Sequence, residues 1–221
     1  MYGAIIAQIL YDLALVDDTT YYHSLRVGYL MDAFAADEEG QKCLKQVWVT
    51  RDEFVVAGLL HDIGKTTWPR DILLSNKQIK DMDDENMLKA AKYRLEHPIV
   101  SKQILMNYYQ STGNRFWQRI ATGVGAHHED YDGRGYPRRL KGSDIPLLGR
   151  VLNVFSDFEA RTMMRRYRNA QSKEQALAEM EKLLGQVYDS YWGVVVLNFL
   201  RKEEGKPDLD VWFQKEIKRL S

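Results

Sequence analysis

Seven residues of this 221-residue chain have types and settings suited to metal chemistry: all five histidines, His23, His61, His97, His127 and His128, together with Asp62 and Asp157. An isolated histidine is usually a surface or a satisfied core residue. Here, however, His61 runs directly into Asp62 at the end of the apolar stretch Gly58-Leu59-Leu60, and His127-His128 runs into Glu129. An ionised aspartate beside a buried run is costly unless it is paired or coordinated. Neutral imidazoles and carboxylates are donors for Fe, Mn or Zn, and no thiolate partner is present to favour a structural zinc site. With Asp62 bridging, one ion could take His23, His61, Asp62 and Asp157, and a second could take Asp62, His97, His127 and His128. Two ions so held would suit attack on a phosphodiester, since they generate a nucleophile at neutral pH and clamp the developing charge.

The elements that must position these residues are helical. Ile5, Ile6, Ile9, Leu10 and Leu13 recur at helical steps, as do Leu25, Val27, Leu30, Met31 and Phe34, and Val55, Val56, Leu59 and Leu60 run up to a break at Gly64. Further helices are expected over 85–95, 98–109, 115–128, 145 to about 168, 173–184 and 187–201, with Ser172 and Gln175 forming a capping box. The breaks at 64–69, 132–142 and 205–207 are too short for flexible linkers. The expectation is an all-α fold, a single domain over 1–221, with the motifs in 17–170 and C-terminal helices over 172–220.

Bulk properties narrow the function. Lys plus Arg and Asp plus Glu number 31 each, so no global field attracts a nucleic-acid polymer, and phosphate recognition must be local. The first sixteen residues lack a basic leader and are broken by Asp12, which reads as an amphipathic helix rather than a signal peptide. The apolar run 192–200 is too short to cross a membrane. Lone Cys43 has no ligand-like neighbour; it is expected to be structural and to sit in a reducing cytoplasm.

Four runs occur in order: His23-Ser24-Leu25-Arg26-Val27, His61-Asp62-Ile63-Gly64-Lys65, Glu96-His97-Pro98, and His127-His128-Glu129-Asp130-Tyr131-Asp132-Gly133-Arg134-Gly135-Tyr136-Pro137. They resemble the HD-GYP domains, a subgroup of the HD metal-dependent phosphohydrolases that degrade cyclic di-GMP, and the likeness continues through Ile145-Pro146-Leu147, Asp157 and Tyr167-Arg168. The resemblance implies an HD-type helical bundle with a buried metal cleft. It implies a two-metal centre on His23, His61, Asp62, His97, His127, His128 and Asp157, holding Fe or Mn, with Zn, Ni or Co possible in purified protein. The same resemblance implies catalytic positions for Asp62 and Lys65 and an expected attack on phosphorus by a hydroxide held between the ions.

Lys65 and the pair Arg165 and Arg168 match positions that meet substrate phosphate. Arg161 joins them on one face with Asp157 if that helix persists. Gly133, Gly135, Tyr136 and Pro137 form a tight turn expected to wall the cleft. The implied substrate is cyclic di-GMP, hydrolysed to pGpG or GMP. The alternatives are a receptor or docking module and a phosphohydrolase of another substrate such as cyclic GMP-AMP. Signalling proteins are expected as partners, since no receiver or sensory domain is read in the chain.

Three departures from the family stand out. Thr19 occupies the position where some members carry a third-metal glutamate. The segment between Lys65 and His97 is longer than usual, with a charged stretch at 80–85. After Asp157 the chain has Glu159 and Arg165-Arg166-Tyr167-Arg168, without the family's usual second aspartate and proline.

Overall fold

Helix ends are set locally by side chains that satisfy the first free N–H groups. Asp17 accepts from Thr20 N and opens a helix over Asp18–Ala36, and Thr50 with Glu53 makes a capping box for Arg51–Leu60. Ser172 and Gln175 make the expected capping box for Lys173–Glu181. The computed structural model describes residues 2–75, 77–164, 169–205 and 207–221.

Among these, the α-helices are α1 (Gly3–Val16), α2 (Asp18–Ala36), α3 (Glu38–Val47), α4 (Arg51–Leu60), α5 (Arg70–Leu73), α6 (Asp84–Thr112), α7 (Arg115–Val124), α8 (Leu147–Thr162), α9 (Lys173–Glu181), α10 (Trp192–Lys202) and α11 (Leu209–Leu220). A 3-10 turn over Ile63–Thr67 follows α4, and no strand occurs among the described residues. The all-α expectation holds. No described helix is long and apolar enough to cross a membrane.

Helices α2, α4, α7 and α8 pack on one another, with Phe34, Phe54, Leu59, Ile120, Val151 and Phe155 fully buried between them. Helix α6 crosses over α7 and the 3-10 turn, while α11 closes on α1 and α2, its Leu220 carbonyl accepting from Tyr2 N at 3.1 Å. Cys43 is buried in this core, and burial pushes its thiol up to about 12, in keeping with a structural role.

Several boundaries differ from the periodicity. Helix α3 was hidden by its charged face, because only Gly40, Cys43 and Leu44 of its ten residues are buried. The segments over 85–95 and 98–109 form one helix of 29 residues with Pro98 inside it. Helix α7 stops at Val124 rather than at His128, where Gly125 and the following turn take over. Helix α8 spans Leu147–Thr162, not 145–168; Pro146 precedes it and Met163 turns extended. Asp157 and Arg161 share a face of this helix, and Arg165 and Arg168, expected on the same face, lie outside the described residues. Helix α9 ends at Glu181, and α10 begins at Trp192, where Asp189 accepts from the Tyr191 and Trp192 amides.

The 3-10 turn after α4 lies against α6. Gly64 N donates to Ser101 Oγ at 2.8 Å, and a Cβ at Gly64 would collide with the His97 carbonyl and the Ser101 amide. Gly64→Ala is expected to destabilise the fold by about 1–3 kcal/mol through overpacking, measured by denaturant unfolding of the metal-free protein.

Candidate metal centre

His23 comes from α2, His61 and Asp62 from the turn closing α4, His97 from the middle of α6, and His127 and His128 from the turn after α7. Folding brings these six residues into two clusters that share Asp62: His23, His61 and Asp62, and Asp62, His97, His127 and His128. Within each cluster one donor atom per residue lies inside 4.8 Å of the others, a spacing that could hold a metal ion. Asp62 turns one oxygen to each side. Its Oδ2 is 3.6 Å from His23 Nε2 and 3.5 Å from His61 Nε2, and its Oδ1 is 3.1 Å from His97 Nε2 and 3.8 Å from His127 Nε2.

The ring orientations are fixed by backbone carbonyls. His61 Nδ1–H donates to Gly58 O, His97 Nδ1–H to Arg94 O and His127 Nδ1–H to Val124 O, each at 2.7 Å. Gly58 and Val124 lie in the last turns of α4 and α7, whose carbonyls have no partner within their own helices. Arg94 O is available because Pro98, four residues on, has no N–H to give it. His23 Nδ1–H instead donates to the buried Glu159 carboxylate, which also takes Arg26 Nε at 2.6 Å. Each of these rings therefore turns its Nε2 to the centre, the arrangement metal-ligating histidines adopt.

Electrostatics fit a cation. Burial holds the His61 and His128 rings well below the usual histidine range and brings His97 down to about 4, so all three are neutral at pH 7. Burial alone would raise Asp62, but Lys65 and the surrounding imidazoles hold its carboxyl well below the usual carboxylate range. His23 Nε2 and His61 Nε2 are 3.1 Å apart, and His97 Nε2 and His127 Nε2 are 3.4 Å apart. Asp62 Oδ1 is buried and accepts no well-aligned hydrogen bond. Converging lone pairs around an ionised carboxylate repel one another, and a divalent ion in each cluster would turn that repulsion into coordination. The donor set therefore fits two metal ions.

The remaining sequence candidates take different places. Lys65 Nζ lies 2.5 Å from Asp62 Oδ2 and lines the cleft beside the clusters, a cavity of about 540 Å³. Asp157 also lines the cleft but stands outside both clusters, its Oδ2 accepting from Arg161 Nε at 2.9 Å and from the Tyr188 hydroxyl. Arg161 is committed to Asp157 and, at 2.8 Å, to Glu179, and it does not line the cavity.

Of the four turn residues expected to wall the cleft, Tyr136 lines the cavity, stacked on His128 with centroids 4.8 Å apart, and Gly133, Gly135 and Pro137 do not. Gly133 (φ +89°), Gly135 and Pro137 shape the turn behind it, where a Cβ on Gly135 would strike the Asp130 amide. Glu129 pins this loop by accepting from Arg138 N at 2.8 Å and Leu140 N at 2.9 Å. Residue types and spacing did not reveal the roles of Glu129, Glu159 or Ser156, which lies 3.3 Å from His61 Nε2.

The chain belongs to the HD domain family, whose model matches residues 38–191. It is 34% identical over 193 residues to a cyclic di-GMP phosphodiesterase of Thermotoga maritima, covering 87% of this chain and 47% of that protein. It is also 34% identical over 169 residues to the 3'3'-cGAMP-specific phosphodiesterase 3 of Vibrio cholerae, covering 76% of this chain and 32% of that protein. The chain thus spans about half, or less, of the length of these curated relatives. The HD domain of the L. monocytogenes phosphodiesterase PgpH, solved in complex with cyclic-di-AMP, superposes with a TM-score of 0.52 at 15% identity, covering 87% of this chain and 94% of that one. That likeness concerns the fold, and it agrees with the HD-type bundle expected from the motifs.

Glu159→Gln is expected to weaken metal affinity by about tenfold or more, because the His23 ring loses its charged orienting partner. Titration of metal-stripped protein with Mn or Fe, followed by calorimetry, measures this.

Proposed function

We propose that this chain is a metal-dependent phosphodiesterase that opens a cyclic dinucleotide, with cyclic di-GMP as substrate and pGpG or GMP as product. The observation that carries it is Asp62, one carboxylate set between two histidine clusters in a single cleft that Lys65 also lines. Relatives named for cyclic di-GMP and for 3'3'-cGAMP support a cyclic dinucleotide, and the 34% identity to the Vibrio cholerae protein favours 3'3'-cGAMP as the second reading.

In this proposal His23, His61, Asp62, His97, His127 and His128 hold two divalent ions, and Asp157 completes the first site from its place on the cleft wall. A donor set of imidazole nitrogen and carboxylate oxygen without thiolate suits Fe or Mn, with Zn, Ni or Co as competing occupants. Ions on these donors would acidify water and neutralise the charge that builds on the phosphate oxygens. Asp62 keeps the two halves in register through its separate oxygens, and the carbonyl-anchored rings keep their lone pairs aimed without reorganisation.

Lys65 exchanges its pairing with Asp62 for a phosphate oxygen of the substrate, as a compact ammonium is suited to do. Tyr136, seated on His128, limits where the substrate can lie. Residues 1–221 act as one domain in this proposal, supported by the packing of α11 on α1. The lone buried Cys43 supports a cytoplasmic setting in which partner proteins deliver the signal.

Metal-replete protein incubated with cyclic di-GMP is expected to release pGpG, GMP or both, read by chromatography of the nucleotides. Asp62→Ala is expected to lose turnover and metal content together. Lys65→Ala is expected to keep its metals while turnover falls by about a hundredfold, as when a single charge-stabilising donor is removed. Failure of the wild-type protein to turn over any cyclic dinucleotide with Fe or Mn rejects the proposal.

A further inference from the structure

A cyclic dinucleotide carries two phosphates, and a metal pair can engage only one of them at a time. The second is a buried anion unless the cleft wall supplies positive charge. Among the described residues, Arg161 is held by Asp157 and Glu179, and Lys65 by Asp62. The cavity has three other cations, Lys77, Lys80 and Arg94, all contributed by the long segment between Lys65 and His97. Among the described residues none of the three is paired with a carboxylate at ion-pair distance, although Asp130 lies within the field of Arg94 and Asp83 within that of Lys77, so all three remain available to an anion in the cavity.

Arg94 sits on α6, one turn before His97, and its backbone carbonyl is the one that orients the His97 ring. Its guanidinium lies 5.8 Å from the Tyr136 ring centroid, and Tyr136 in turn stacks on His128. A donor fork held against an aromatic ring is pre-organised for a planar, bidentate grip on phosphate. The ring that supports it also touches a candidate metal ligand, so the fork is placed one aromatic side chain beyond the metal centre. We infer that Arg94, supported by Tyr136 and assisted by Lys77 and Lys80, forms an anion subsite for the second, non-reacting phosphate of a dinucleotide. This rests on the cyclic-dinucleotide function proposed above. It makes the long segment a determinant of preference for ligands with two phosphates over ligands with one.

Calorimetric titration of the metal-loaded full chain with a hydrolysis-resistant phosphorothioate analogue of cyclic di-GMP, and separately with GMP, tests the subsite. Arg94→Ala is expected to lose about tenfold or more in affinity for the analogue and less than about threefold for GMP, as for loss of a charge-assisted hydrogen bond to one phosphate only. Arg94→Lys should fall between wild type and Arg94→Ala, because it keeps the charge but loses the fork. Lys77→Ala with Lys80→Ala should flatten the salt dependence of analogue binding, since two screened charges are gone.

Thermal unfolding of each variant separates lost binding from a lost fold. Wild-type affinity in Arg94→Ala, equal losses for both ligands, or no analogue binding by the wild type would overturn the subsite. Product release from cyclic di-GMP by the wild type is scored separately. Arg94-dependent binding without any product keeps the subsite and rejects the phosphodiesterase, whereas turnover with Arg94-independent binding does the reverse.

Discussion

The buried carboxylate of Asp62 is the constraint around which this molecule is arranged. A charge removed from water needs compensation, which Lys65 gives to one oxygen of Asp62 and which cations held among the two surrounding histidine clusters would give to both. Those partners come from helices distant in sequence, so satisfying one carboxylate fixes how α2, α4, α6 and α7 meet. The two oxygens divide the site into halves, and that division makes a paired centre of what would otherwise be a cluster of imidazoles.

The same frame explains why His61, His97 and His127 occur where helices end or are interrupted. A helix interior spends its carbonyls on its own N–H groups and has none to orient a ring. The ends of α4 and α7 release Gly58 O and Val124 O, and Pro98 releases Arg94 O inside α6. Each interruption that weakens a helix thereby supplies an acceptor that fixes a ligand tautomer. The proline in Glu96-His97-Pro98 thus has a local physical reason: it keeps the i−4 carbonyl free for the histidine that precedes it.

The walls of the cleft follow a different logic. On one side Glu129 ties down the turn that carries Tyr136, using two backbone amides, and Tyr136 passes that order to His128 by stacking. On the other side the longer segment before His97 brings Lys77, Lys80 and Arg94 to the cavity. The candidate metal-binding floor and the cationic wall meet at Arg94, whose carbonyl orients His97 while its side chain lines the cavity.

The sequence by itself determined the helical class, the capping boxes and the donor chemistry. Periodicity, cap residues and the coupling of histidine to aspartate are local properties written within a few residues. It also marked Lys65 and Tyr136 as neighbours of the centre, through the motifs that contain them. Tertiary structure decided what depends on distant partners. It ended α8 at Thr162, fused two predicted helices across Pro98, and gave Arg161 to Asp157 and Glu179.

It also left Asp157 on the cleft wall outside the two clusters, and revealed Glu159 behind His23 and Arg94 over Tyr136. The physical reason is common to all of these. A residue type states which interactions a side chain can make, but competition among partners brought together by packing decides which of them it does make. For the seven candidate ligands, the sequence supplied the donors and the fold gathered the five histidines around Asp62.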